Sequence, residues 1–529
     1  MMRNMAGAKL TTFSMLFTSM LGCGLLSCFF GKELCWDLAN YHYYGPFAFF
    51  NHRDTIDYWP VSFLHQFLNP TLDFLSYFLI NHFQSFTVQF LLGALHGINA
   101  WLLFLIGKSF VRHNILLLFI VVVLGMYGPT ALPAIGSFQN DHLISLFVLS
   151  YVWLQLQALA APSPADTPIK WLILAGFFLG MGAGLKLTAG LYALGGLLAL
   201  LTLPLPFRKK SGMALSVCLG IVIGILATAG HWMWHLWQIY SNPVFPFLNN
   251  IFQSDQFALQ NWRDLRFMPQ TLVQTVFFPF YFSWDGRISD VPFRDIRFLI
   301  LYALTLLTLF KVMFNRHNHG TLSLQKRWLT FFFISSYIVW QYYFSIARYL
   351  LPLEMLAPLL IYLLVEWNVQ KPYKKLIITT MVFYSLIFFM LPQSMVRARW
   401  FSGTFFNVEL PPVVNHIQNA TVLTAYPAYV MDLNPRPQSY LIPFFPRHWQ
   451  FIGIPFQLEK YAFDPRTHQK IASKLIGDEP VFLLTSDQNM PELKRIASLY
   501  GLISSKTCAR IKSDRQAITH QYVLLCQVR

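Results

Sequence analysis

Leu10–Phe30, LTTFSMLFTSMLGCGLLSCFF, runs directly into Gly31-Lys-Glu33-Leu-Cys-Trp36-Asp37-Leu-Ala-Asn-Tyr41-His42-Tyr-Tyr44. The first stretch is uncharged and long enough to cross a bilayer, which takes a helix of about 20 residues. It exceeds the roughly 7–15 apolar residues of a secretory signal, and no small-residue cleavage site follows, so it reads as an uncleaved signal anchor. The second stretch sets a carboxylate and an imidazole among aromatic rings at the mouth of that span. Together they point to chemistry at a membrane surface.

Composition agrees. The chain is 55% hydrophobic and 17% aromatic, with only 12% charged residues, against about 25% in soluble domains. Mean hydropathy is +0.46. The net charge of +16 does not point to nucleic acid, because much of the excess falls in short loops between apolar runs, where it sets orientation. The six cysteines form no zinc-binding pattern. Cys23, Cys28 and Cys218 lie in apolar runs and Cys35 just outside one; Cys508 and Cys526 share the tail, where spacing leaves their pairing open.

Roughly eleven spans are expected from length and hydropathy: near 10–30, 88–107, 114–132, 142–160, 170–187, 189–206, 213–233, 297–312, 328–346, 349–366 and 375–392. With the N-terminus in the cytoplasm, the inner turns collect the cations, including Lys108 and Arg112, Arg208 to Lys210, Arg316, Lys326 and Arg327, and Lys371 to Lys375. The short outer turns carry few, as the positive-inside bias requires. The expected fold is therefore mainly α: a polytopic transmembrane helical bundle, residues 1–392, with outer loops 31–87 and 234–296. In the first loop, Tyr58-Trp-Pro-Val-Ser-Phe-Leu-His65 reads as an aromatic amphipathic stretch lying in the interface plane.

Residues 393–529 differ. The β-rich runs Thr421–Thr424, Val481–Thr485 and Tyr522–Cys526 alternate with helical stretches at Thr467–Ile476 and Met490–Tyr500. That alternation predicts a small α/β extracytoplasmic domain. It carries no Gly-rich phosphate loop, which favours a recognition or stability module.

Four ionisable residues fall at span ends: Asp37 after the first, Asp141 opening the fourth, Lys186 closing the fifth, and Arg348 between the ninth and tenth. All four share the outer face in this topology. Two acids and two cations at one depth suit transfer from a lipid phosphate donor: a carboxylate can take the acceptor's proton, and Lys and Arg can neutralise the leaving phosphate. Each residue also has a plain structural reading. Acids are common at solvated helix ends, long cations snorkel to headgroups, and His42 and His142 could simply be hydrogen-bonded histidines.

The segments Trp36-Asp37…Tyr41-His42, Asn140-Asp141-His142, Gly182-Ala-Gly184-Leu-Lys186-Leu-Thr188, Asn242-Pro243-Val-Phe-Pro246 and Ala347-Arg348-Tyr349-Leu-Leu-Pro352-Leu-Glu354 follow in order. On these the chain resembles the GT-C superfamily, polytopic glycosyltransferases that use polyprenyl-phosphate-linked sugars. The resemblance covers about residues 1–392. It implies a GT-C-like bundle in the bilayer and a sugar passed with inversion to a glycan, lipid or protein acceptor. Asp37 would be the general base, with Asp141 a second acid. Lys186 and Arg348 would hold the donor phosphate, and Tyr41, His42, Asn140 and His142 would contact substrate. Some relatives carry adjacent acids in the first loop; here Glu33 and Asp37 are four positions apart, which leaves open a divalent cation (Mg or Mn) or a plain base. The setting implied is a bacterial inner membrane with the tail in the periplasm. Two other classes compete. An O-antigen polymerase or ligase would use Arg263, Arg266, Arg287, Arg294 and Arg297, and a lipid or glycan transporter would place its polar groups near the midplane of two related halves.

Overall fold

The computed structural model describes all residues except 1, 63, 112, 161–167, 257–258, 260–263, 315–322, 395–396, 399–402, 427–437, 456–464, 503–507, 515–521 and 529. Arg112, Arg263 and Arg316 thus lie outside the described residues. The chain is mainly helical, and each of the eleven expected segments contains a helix: Met2–Phe30, Ser85–Lys108, Ile115–Met126, Asp141–Ala158, Ile169–Leu185, Gly190–Leu201, Phe207–Tyr240, Arg297–Phe314, Leu324–Tyr343, Leu351–Asn368 and Pro372–Phe389. Five helical segments are long and apolar enough to cross a membrane: Thr12–Phe30, Ser85–Lys108, Phe207–Tyr240, Arg297–Phe314 and Ala347–Asn368. Others are short for the task. At 12 residues, Ile115–Met126 reaches about 18 Å, against a hydrocarbon core of about 30 Å.

The chain divides into two compact units. The first takes Met1–Ser27, Phe90–His231 and Trp262–Met395. At its centre lies Leu351–Asn368, whose side chains are almost all buried, while Phe207–Tyr240 and Arg297–Phe314 expose rows of Leu, Ile, Val and Phe. Such all-apolar outer faces are what lipid-facing helices present. Between apolar helices in lipid, close backbone approach replaces the hydrophobic drive. A Cβ on Gly176 would overlap the Val217 carbonyl, and one on Gly180 the Ile221 carbonyl. Gly220 and Gly224 stand in the same relation to Ile173 and Phe177. The two helices therefore meet along facing small-xxx-small rows.

The second unit takes Cys28–Gln89, Trp232–Asn261 and Val396–Arg529. Its strands are β1 (Lys32–Glu33), β2 (Arg397–Ala398), β3 (Val408–Glu409), β4 (Thr421–Tyr426), β5 (Gln450–Pro455), β6 (Val481–Ser486), β7 (Cys508–Ser513) and β8 (Val523–Gln527). β1 pairs with β2, and the other six form one mixed sheet in the order β3-β7-β8-β6-β4-β5. β4 runs parallel to β5 and β6, while β6–β8, β7–β8 and β3–β7 are antiparallel. All six side chains of β6 are buried, as befits a strand covered on both faces. The three strand runs and both helices read from the sequence are present; β5 and β7 were not anticipated. Cys508 and Cys526 face each other across β7 and β8 and form a disulfide.

The 58–65 stretch departs from expectation. Trp59 has a positive φ of 49° and Pro60 has no N–H, and the described residues of this stretch form no continuous helix. Instead the Tyr58 N–H donates to the Phe451 carbonyl (2.8 Å) and the Gly453 N–H to the Tyr58 carbonyl (2.7 Å), extending the sheet beyond β5. The join is locked by charge. Arg53 Nε meets Asp57 Oδ2 at 2.8 Å and Arg53 Nη2 reaches the Trp449 carbonyl at 2.6 Å. Asp57 also accepts from the Phe451 N–H at 2.9 Å and the Tyr44 hydroxyl at 2.7 Å. Lys32, fully buried, donates to Asp514 (2.7 Å) and to the Phe405 carbonyl (2.6 Å). Burial pulls its ammonium below the usual lysine range, and Asp514 works against that shift.

The glycine rows make a direct test. Gly180→Leu should separate its helix from Phe207–Tyr240 and abolish a monodisperse folded peak in detergent chromatography, since overpacking costs about 1–3 kcal/mol or more. Gly212→Leu, where a Cβ meets nothing within 4 Å, should leave the peak unchanged. Equal behaviour of the two variants would contradict the packing described.

Candidate functional site

Three of the four ionisable residues converge in the first unit. Asp141 opens the helix Asp141–Ala158, where a carboxylate is favoured by the helix dipole. Asn140 precedes it in the left-handed region (φ 64°), and its carbonyl accepts from the N–H groups of Leu143 and Ile144, starting the helix. Lys186 follows the helix Ile169–Leu185, its N–H bonded to the Gly182 carbonyl at 2.9 Å. Its ammonium meets Asp141 Oδ1 at 2.6 Å and the Gln139 carbonyl at 3.3 Å. Arg348, on the turn Ala347–Leu350, brings Nε to 4.0 Å from Asp141 Oδ2.

Tyr349 completes the group. Lys186 Nζ lies 5.4 Å and the Arg348 guanidinium carbon 5.5 Å from its ring centroid. The ring's negative face attracts both cations. Its carbonyl accepts from the Tyr192 hydroxyl at 2.5 Å, which fixes the turn. Lys186 and Arg348 thus approach the same carboxylate from its two oxygens. The side chains of Lys186 and Arg348 keep 18% and 29% of their surface open, against 9% for Asp141. The cluster is thus a partly open cation pair steadied by an acid, suited to holding an anion.

A buried network holds the segment leading to Asp141. Glu354, on a helix long and apolar enough to span, accepts from the Thr130 N–H (3.1 Å), the Ala131 N–H (2.9 Å) and the Thr130 hydroxyl. Arg297 Nη1 lies 3.7 Å from the same carboxylate, and Nη2 donates to the Tyr127 carbonyl. A side chain on Gly128 would run into Glu354. Residues 127–131 are therefore clamped ten residues before Asp141.

His142 meets the helix Ser85–Lys108. It is buried, its ring edge-on to His96 at 5.5 Å, with its carbonyl taking the Asn99 amide at 2.9 Å.

Asp37, Tyr41 and His42 belong to the second unit. Residues 38–42 are wound with the wider five-residue hydrogen-bonding period, a form frequent at functional sites. That period sets Asp37 and His42 one turn apart. All three are buried. His42 Nδ1 lies 2.7 Å from Asp73 Oδ1. The Tyr41 ring stacks on His65 at 4.6 Å, and His65 Nδ1 meets the Ser62 hydroxyl at 2.8 Å. Asn40 bonds Ser62 through both its amide groups. Burial raises the Cys35 thiol well above its usual range, and the charges of Glu33 and Asp37 raise it further. A thiol held protonated is a poor nucleophile.

Sequence reasoning did not reach Asp73, Tyr349 or the Glu354–Arg297 clamp as working parts. Tyr349 and Glu354 stood inside a quoted motif, but only the fold shows what they touch. The motif at Asn242 knits its own loop, with Nδ2 on the Phe247 carbonyl and Oδ1 on the Val244 N–H, both at 3.0 Å. Among the described residues, no group of three or more His, Cys, Asp or Glu is placed to hold a metal ion; Asp141 is engaged with cations instead.

No family model, curated protein or solved structure matches the chain.

The ion pair can be measured. Asp141→Asn and Lys186→Gln, singly and together, should show a coupling energy of about 0.5–3 kcal/mol in detergent-unfolding titrations. A coupling indistinguishable from zero would mean that the pair does not form in the membrane.

Proposed function

We propose that the chain is an integral-membrane glycosyltransferase that moves a sugar from a polyprenyl-phosphate donor to a glycan, lipid or protein acceptor. The observation that carries this reading is the convergence of Lys186 and Arg348 on Tyr349 and Asp141. The acceptor oxygen attacks the anomeric carbon, its proton passes to a carboxylate, and the bond to the donor phosphate oxygen breaks with inversion. The phosphate leaves with the electron pair, and the two cations stabilise the charge it gains. Asp141 keeps Lys186 in place. Asp37 is assigned as the base.

With the N-terminus in the cytoplasm, an odd number of crossings, such as the eleven expected from the sequence, puts residues 393–529 outside a bacterial inner membrane. The Cys508–Cys526 disulfide supports that side, since disulfides persist in oxidising compartments.

The arginine-rich loop favours this reading over an O-antigen polymerase. Arg266 is engaged by Asp264 and Asp290, Arg287 by Asp285, and Arg297 is buried with Asp295 and Glu354. These three are already balanced, which leaves only Arg294, stacked on Trp284, among the described arginines of that loop to meet a phosphate.

Arg348→Ala should weaken binding of undecaprenyl phosphate to the chain in nanodiscs by about tenfold to a hundredfold, the worth of a hydrogen bond to a charged group. An unchanged dissociation constant would end its phosphate role. Asp37→Asn should cut transfer by about 10²–10⁴-fold at equal membrane abundance. Mass spectrometry of cellular glycans should then show one sugar lost and its polyprenyl-linked donor accumulating. An unaltered glycan profile would remove Asp37 from the chemistry.

A further inference from the structure

Residues 272–294 of the first unit are not explained by glycosyl transfer. They form two short helices, Leu272–Val276 and Phe278–Asp285, and a return segment. Their inner side is packed: Phe278 and Phe282 are buried against Trp340, with ring centroids near 6 Å. The Gln341 amide donates to the Thr275 carbonyl at 2.6 Å. Their outer side is apolar and open. Leu272 is 78% exposed, Trp284 58% and Phe280 50%, and Val273, Val276 and Phe277 are exposed beside them.

Contacts within the unit fix the level of this face. The Ala347 N–H donates to the Ile288 carbonyl at 2.8 Å, and Ala347 begins one apolar span. Arg294 and Leu391 exchange two backbone hydrogen bonds at 3.0 Å, just past the helix Pro372–Phe389. Arg297 begins another apolar span. The segment therefore lies where three helices of the bundle begin or end, at the boundary of the bilayer.

Its charge pattern suits that boundary. Arg287 is paired with Asp285 at 2.6 Å. Arg294 stacks over the exposed Trp284 at 4.5 Å; its Nε meets no acceptor and no carboxylate pairs with it among the described residues. A guanidinium on the face of an interfacial Trp can reach a headgroup while its stem stays among apolar groups.

We propose that residues 272–284 are an in-plane lipid-seated segment. The exposed faces of Phe277, Phe280 and Trp284 lie among phospholipid acyl chains just below the headgroups, and Arg294 donates to a lipid phosphate. Aromatic belts and in-plane helices bind bilayers in this way. The partner is bulk bilayer phospholipid, and the proposal does not depend on the transferase reading.

Cys23, Cys28, Cys35 and Cys218 are replaced by Ala, the Cys508–Cys526 disulfide is kept, and Phe280→Cys or Trp284→Cys carries a nitroxide. The full chain is placed in nanodiscs of phosphatidylethanolamine and phosphatidylglycerol, with detergent chromatography confirming that each variant is folded. Collisions with oxygen should exceed those with a water-soluble nickel complex, at a depth of about 5–10 Å. Dominant nickel collisions would mean a solvated loop, and low collisions with both would mean protein contact; either overturns the proposal. Native mass spectrometry should show fewer retained phosphatidylglycerol molecules for Arg294→Gln than for the parent chain. Equal retention would overturn the phosphate contact.

Discussion

A carboxylate on a helix apolar enough to cross a bilayer must find partners inside the protein, because lipid offers none. Glu354 meets that demand with two backbone N–H groups, the Thr130 hydroxyl and the neighbouring Arg297. The consequence reaches beyond the charge itself. Residues 127–131 cannot leave the helix Leu351–Asn368 without stranding Glu354, and Arg297 draws the start of another helix to the same point. The chain leading to Asn140 and Asp141 is therefore anchored by a buried charge as well as by the burial of Ala131, Ile135 and Phe138. Removing one partner of such a network costs several kcal/mol, about 3–5 for a buried pair, which makes it a strong constraint on geometry.

On that base, the Asp141–Lys186–Arg348 group obeys the same electrostatics with a different balance. Glu354 is enclosed, and its orphan charge is answered within the protein. Around Asp141 two cations share one carboxylate and remain partly open. One carboxylate and the shared Tyr349 ring restrain both cations at little conformational cost. An anion can then add to a preorganised pair, which is how a site gains affinity without ordering side chains at the moment of binding.

The second unit solves a different problem. A six-stranded sheet ending at β5 would expose an open edge, and such edges invite pairing with other chains. Tyr58 covers part of that edge, and the Arg53–Asp57 pair holds it there through the Trp449 carbonyl and the Phe451 N–H. The segment after the first apolar helix is thus part of the sheet's own fabric. At the opposite side of the sheet centre, the disulfide ties β7 to β8.

The helical segments, the α/β character of the tail and the charge asymmetry of the loops were legible because they depend on local properties. Apolar run length, strand-forming residues between turn residues, and the count of Lys and Arg need no knowledge of distant neighbours. The helix ends were legible too, which is why Asp141, Lys186 and Arg348 stood out as charges at one depth. Their meeting at Tyr349 was decided only by tertiary structure, because residues 141, 186 and 348 stand at the ends of separate helices whose placement depends on packing. The same holds for Tyr58, whose aromatic neighbours suggested an amphipathic stretch in the interface plane. Trp59 at positive φ and Pro60 break that pattern locally, and a hydrogen-bonding edge from residues 450–455 supplies partners that no local reading could place. His42 was visible as an imidazole near Asp37, but Asp73, which orients it, is an ordinary helix-start acid until the fold brings the two within 2.7 Å. Composition and period settle which segments are helices or strands; which charges share a neighbour is a property of the packed chain alone.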